Sequence, residues 1–285
     1  MAILSVDLAF RRWSDLGIVV LDRADPGRAN PDLADPDQLI RCEIIVSLAP
    51  EDAIRDESGP VDANVLAGRL NHLCNVRGIR VILLDGPQAW KSRLNGLEHS
   101  RVSERQLNTS AKTGLPGMVK PVTYRPFAEF CLDVYDALCR RGWRRLDTKD
   151  HPDTKDQSDA KDRQDSPPER VLVESYPHAA WKSLGLKPLP SKRRARVSDL
   201  AEAYGALRSV IPFTTNRPPN HDQLQAIVGG LPGLALEERN AAGARIVGNP
   251  PRREDGHWRE GFIVLPVIPK AAVSANWLES MRWLD

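Results

Sequence analysis

The order of apolar segments along the 285-residue chain predicts an α/β fold: a mixed five-stranded sheet flanked by helices on both faces. Two observations lead there. Three strand-like segments open the chain with only short or polar connections between them. Segments of helical period then alternate with short apolar runs.

Residues 3–8 read as a buried strand, and residues 16–21 as a second, joined by the short polar turn Arg12-Trp13-Ser14-Asp15. Residues 44–48 supply a third after an Asp/Pro-rich loop. Residues 61–76 carry Val61, Val65, Leu66, Leu70, Leu73 and Cys74 at helical spacing, with Gly78 as a stop. Residues 79–84 are continuously apolar, as a strand covered on both faces requires, and end at Asp85-Gly86-Pro87. Phe127, Phe130, Cys131, Val134, Tyr135, Leu138 and Cys139 make the strongest helical stripe, ended by Gly142. A strand at 171–173 follows, then helical patterns at 178–184, 197–211 and 219–231, then a last strand at 262–265. Three leading strands followed by alternating helices and strands is the order of the ribonuclease H-like fold.

With 41% hydrophobic and 27% charged residues, the chain can bury a core, and its length suits one domain over residues 1–285. No apolar run reaches the ~20 residues needed to cross a bilayer. The first ten residues lack a basic leader and place Asp7 in their apolar stretch, which argues against a secretory signal. A cytoplasmic protein with four reduced cysteines is expected, since Cys42, Cys74, Cys131 and Cys139 show no C-x-x-C spacing. Residues 147–169 hold eight acids against four Lys/Arg in a near-repeat of Asp-Thr-Lys-Asp. Nothing in that composition can be buried, so it reads as a disordered acidic insertion. The formal charge of +2 thus leaves +6 on the rest, which permits contact with a polyanion.

Four acids stand where chemistry is done. Asp7 lies inside an apolar strand, where a lone carboxylate is costly unless it is paired or ligates a metal. Asp85 and Glu174 each follow a strand, and carboxyl ends of neighbouring strands converge on one edge. Asp222 opens a helix whose polar and small face, Asp222, Gln225, Ala226 and Gly229, would let it approach a strand and bring Asp222 toward Asp7. Four such oxygens suit Mg²⁺ or Mn²⁺, and two ions ~4 Å apart can clamp both oxygens of a phosphodiester displacement. Blander roles stay open: a turn at Asp85, a cap at Glu174, a helix-dipole partner at Asp222. Arg101 and Arg105 fall at helical spacing and could receive phosphate, or pair with Glu104. Lys192 and Arg193 lie in a basic stretch, Lys187 to Arg196, that reads equally as a phosphate contact or a solvated face.

These motifs in order resemble the domain of unknown function 429 family. The carriers are Ser5-Val6-Asp7-Leu8, Leu83-Leu84-Asp85-Gly86-Pro87, Arg101-x-x-Glu104-Arg105 and Glu174-Ser175-Tyr176-Pro177 with Trp181 and Leu184-Gly185. His221-Asp222-Gln-Leu-Gln225-Ala226 and Glu260-Gly261-Phe262-Ile263-Val264-Leu265-Pro266 complete the set. The resemblance implies a ribonuclease H-like, metal-dependent nuclease acting on nucleic acid, with Asp7, Asp85, Glu174 and Asp222 as its metal shell. The chain departs at Gln225, where the family tends to place a second Asp. Gln offers a carbonyl oxygen but no charge. That favours an alternative, a catalytically silent module that binds nucleic acid or a protein. An actin-like phosphotransferase would want a glycine-rich turn after Asp7, and Leu8-Ala9-Phe10-Arg11 supplies none.

Removal of residues 147–169 is expected to leave the melting temperature nearly unchanged. A loss of several degrees in a thermal scan would show that the segment packs.

Overall fold

The computed structural model describes residues 1–23, 39–48, 59–147 and 169–268, so most of the acidic insertion lies outside the described residues. Strand β1 (Ala2–Asp7) sets the frame. It pairs antiparallel with β2 (Gly17–Arg23) and parallel with β4 (Val81–Asp85). Beyond β2 comes β3 (Ile40–Ile44), antiparallel to it. Beyond β4 comes β6 (Val171–Ser175), parallel to it. The central order is therefore β3-β2-β1-β4-β6 with β2 alone reversed. Helices cover both faces, and this is the ribonuclease H-like fold.

The five-stranded expectation describes only the centre. Among the described residues the sheet has nine strands. β7 (Phe213–Thr215) extends it beside β3. β11 (Ile263–Pro266) and β8 (Ala244–Val247) extend it beyond β6, and β5 (Arg144–Arg145) pairs with the start of β6. β9 (Arg252–Glu254) and β10 (His257–Arg259) form a separate hairpin. β11 answers the last strand expected at 262–265, whereas the other additions are two to four residues long, too short to show a period in the sequence. β5 and β6 run parallel, so the intervening chain must return to the start of β6. A deletion of 147–169 therefore needs a short flexible linker in its place.

The third strand also lies four residues earlier than the apolar run 44–48 suggests. In β3, Ile40, Cys42 and Ile44 are buried while Arg41 is exposed and Glu43 half-buried. Arg41 pairs with Asp22 and Glu43 with Arg77. A strand covered on one face selects this alternation over a continuous apolar run. Trp13, expected in a polar turn, is buried, with the Arg69 guanidinium 4.4 Å from its ring.

Helices α1 (Ala63–Arg77) and α3 (Arg125–Cys139) cover one face. The Asp62 side chain caps α1 by accepting from Val65 N at 2.8 Å, and Gly78 ends it in the left-handed region at φ 66°. The other face is covered by α4 (Pro177–Ser183), α5 (Val197–Val210) and α6 (His221–Glu237). The short α2 (Val102–Gln106) lies in the connection from β4 to α3.

Helix α6 runs past the expected end at 231 and through Pro232, because packing against β1, β2 and β4 holds it on both sides of the missing hydrogen bond. It sits unusually close to the sheet. Ser5 Oγ donates to Ala226 O at 2.6 Å. A Cβ added at Gly230 would stand 2.7 Å from Ser5 Cβ, and one at Gly17 2.1 Å from the Asp222 backbone oxygen.

Gly17→Ala should therefore destabilise the protein by ~1–3 kcal/mol, since backbone rather than a mobile side chain must give way. Gly205→Ala, in α5 with nothing within 4 Å of the added carbon, should stabilise by roughly 0.5–1 kcal/mol. Denaturant midpoints of the two variants test the contrast.

Candidate active site

Parallel strands without offset put residues of one register row on one face of the sheet. The row at the carboxyl end reads Gly17, Asp7, Asp85, Ser175, because Asp7 pairs with Gly17 and Asp85, and Asp85 with Ser175. This row faces α6. Gly17 leaves room for the backbone of Asp222, and Ser175 Oγ lies 3.1 Å from where a Cβ on Gly229 would sit. Asp7 and Asp85 are thus cross-strand neighbours, with the start of α6 over them.

Their electrostatics follow from that crowding. Burial, then the charges of Asp85 and Asp222, push the Asp7 carboxyl well above the usual carboxylate range. Burial pushes Asp85 up to about 7, with the nearby Glu174 charge adding to the shift and a hydrogen bond from Asp7 opposing it. Crowding and burial thus favour one proton shared between the two carboxyls over two charges.

The other two acids are engaged elsewhere. Glu174 pairs in register with Leu84, one row back, so its side chain leaves the face that Asp7 and Asp85 share. It meets Arg101 in a buried fork, with Nη1 to Oε2 and Nη2 to Oε1 both at 2.6 Å, and accepts from Gln88 N at 3.0 Å. Asp222 is buried at the start of α6, where Lys192 Nζ donates to its Oδ2 and His221 Nδ1 lies 3.0 Å from its Oδ1. Lys192 also donates to Asp15 at 2.8 Å. Among the described residues no group of three or more His, Cys, Asp or Glu side chains is placed to hold a metal ion.

The basic residues divide similarly. Arg101, expected to receive phosphate, is 1% exposed, and its guanidinium is held by Glu174 and Glu104. It is a buried counter-ion instead. Arg105 and Arg193 are exposed, while Lys192 is half-exposed with its ammonium bridging Asp15 and Asp222. Gln225 accepts from the Trp181 indole N–H at 2.8 Å, so the oxygen that could have served an ion ties α6 to α4.

Two further acids organise the long connection after β4. Glu104 accepts from Arg101 N at 3.0 Å, from Thr113 N at 3.1 Å and from the Thr113 hydroxyl. Glu260, 1% exposed, accepts from Ser92 N at 2.8 Å, Asn95 Nδ2 at 2.6 Å and Val102 N at 2.8 Å. In the sequence Glu260 stands out only as the start of the closing motif, with no role attached to it. Its signal is an acid beside a glycine before a buried strand, which has no period to mark it. The connection forms one wall of a cavity of about 180 Å³ lined by Asp85, Glu174, Arg101, Tyr124, Phe127 and Tyr176, among others.

Two solved structures align with most of the chain. Thermus thermophilus RuvC is 10% identical over 84% of this chain and 96% of its own, with a TM-score of 0.35. The T. thermophilus RuvC complex with a Holliday junction substrate is 9% identical over 84% and 97%, with a TM-score of 0.33. No protein-family model matches the chain, and no curated protein matches it. No helix among the described residues is long and apolar enough to cross a membrane.

The raised carboxyls make stability depend on pH. A group whose folded pKa is raised contributes stability that is complete below its unfolded value, 3.8 for Asp85, and lost as pH rises through its folded value of about 7. With divalent ions chelated, unfolding free energy should fall over that window. Asp85→Asn should flatten the fall, as read by urea melts across pH. An unchanged slope would show that the pair is not crowded.

Proposed function

We propose that the chain is a metal-dependent phosphodiesterase of nucleic acid, with Asp7 and Asp85 as the residues that hold the ion. The observation that carries this reading is the in-register pair of half-buried, crowded carboxylates at the carboxyl end of β1 and β4. Two carboxyl groups sharing one proton in a desolvated row are a poor structural choice, and a hard cation would relieve the repulsion. The donor set fits Mg²⁺ or Mn²⁺ at this pair. Such an ion supplies Lewis acidity to a phosphoryl oxygen and acidifies an attacking water.

The remaining residues bind and orient. Asp222 would be a third residue able to hold the ion if Lys192 released it, and the Lys192 ammonium would then be free to meet a phosphate at the same edge. Glu174 stays with Arg101 and fixes the wall beside Asp85. A second ion, as a two-metal mechanism requires, needs Asp222 in this released state. The ordered motifs that resemble the domain of unknown function 429 family support the same reading, and a cytoplasmic setting is consistent with it.

A second reading, the silent binding module, is favoured by one observation. Lys192 and Arg101 already neutralise Asp222 and Glu174, and Gln225 adds no charge.

Melting curves of wild type and Asp7→Asn, each with and without Mg²⁺ or Mn²⁺, separate the two. On the nuclease reading the metal-free variant melts at or above wild type, because one crowded charge is gone. At an ion concentration of ~100 Kd the wild type should gain ~2.7 kcal/mol, several degrees, and the variant almost nothing. Cleavage of nucleic acid should vanish in the variant. A destabilised variant beside a wild type indifferent to both ions would leave the silent module standing. Because the ion must displace the proton held by the pair, the metal-induced gain should also grow as pH rises through about 7.

A further inference from the structure

We infer that the cavity beside Asp85 is a subsite for one unpaired nucleobase, so that the substrate of the carboxylate pair is single-stranded or locally unpaired nucleic acid. This rests on the phosphodiesterase reading.

Three aromatic side chains from separate elements line the cavity: Tyr124 just before α3, Phe127 in its first turn, and Tyr176 at the N-cap of α4. Each packs against the core and each is only half-buried. Phe127 is fixed by Phe10 at 6.3 Å and Tyr124 at 5.5 Å between ring centroids. The volume, about 180 Å³, admits one ring system, with Asp85 at its margin.

The polar lining argues for a base rather than a phosphate. Arg101 is the one basic side chain on the wall, and Glu174 and Glu104 already hold its guanidinium. An anion would find no uncommitted cation there and three carboxylates, Asp85, Glu104 and Glu174, on the wall. A neutral heteroaromatic ring meets neither objection. Within a duplex a base shows the grooves only its edges, its faces being covered by its neighbours. Aromatic walls therefore gain contact only with a base that has left the stack. Seated there, the base would leave its backbone phosphate outside the cavity, on the side of Asp85.

The test is binding with all divalent ions chelated. A single-stranded DNA oligonucleotide carrying one 2-aminopurine, and the same strand in a duplex, are titrated with the protein. Fluorescence anisotropy reads affinity and 2-aminopurine quenching reads stacking. The wild type should prefer the single strand and quench it. Tyr124→Leu, which keeps an apolar side chain but removes the ring, should lose roughly tenfold in single-strand affinity, and Tyr124→Phe should lose little. Equal affinity for single strand and duplex, with no quenching in the wild type, would overturn the inference without reliance on any variant. Retention of full affinity and quenching by both Tyr124→Leu and Tyr176→Leu would overturn it too. The two readings fail separately. Ring-dependent single-strand binding by a protein that ignores Mg²⁺ supports the subsite and removes the nuclease. Cleavage with no ring dependence removes the subsite alone.

Discussion

The pairing of β1 with β4 places two carboxylates side by side in a row that is otherwise buried. Everything at this edge of the sheet answers that constraint. Gly17 stands in the same row because the backbone of Asp222 occupies the space a side chain would need. Ser5, two residues before Asp7 on the same face, fastens Ala226, so β1 holds the helix that carries the third acid. Below the row the strand interiors are apolar on both faces, and their burial offsets the cost of desolvating the pair.

Charge is then apportioned outward from the pair. Asp222 has Lys192, and Glu174 has Arg101, which also serves Glu104. The two cations differ in kind. Lys192 is half-exposed on a flexible stem and bridges Asp15 and Asp222. Arg101 is buried in a bidentate fork, and removing one partner of such a fork costs ~3–5 kcal/mol by leaving the other charged and unpaired. One acid is thus paired with a half-exposed lysine beside Asp7 and Asp85, and the other is built into the wall. That wall belongs to the connection between β4 and α3, which Glu104 and Glu260 organise by accepting backbone N–H groups. The aromatic cavity and the carboxylate pair therefore share Asp85 as their common boundary.

The sequence by itself determined four of the five central strands and the main helices, because a long amphipathic helix carries a clear period and a strand buried on both faces reads as a continuous apolar run. Residues 79–84 and the stripe from Phe127 to Cys139 are legible in this way, as are the stops at Gly78 and Gly142. It also singled out Asp7, since an acid inside an apolar run has few structural uses. Tertiary structure decided the rest. The placement of Glu174 turns on one residue of register between β4 and β6, and a shift of one residue reverses the face of a side chain. No local pattern encodes that register; it is set by how the strands pack. The engagement of Arg101, Lys192 and Gln225 depends likewise on partners 30 to 73 residues away in the chain, brought within hydrogen-bond reach only when the sheet and its helices have assembled.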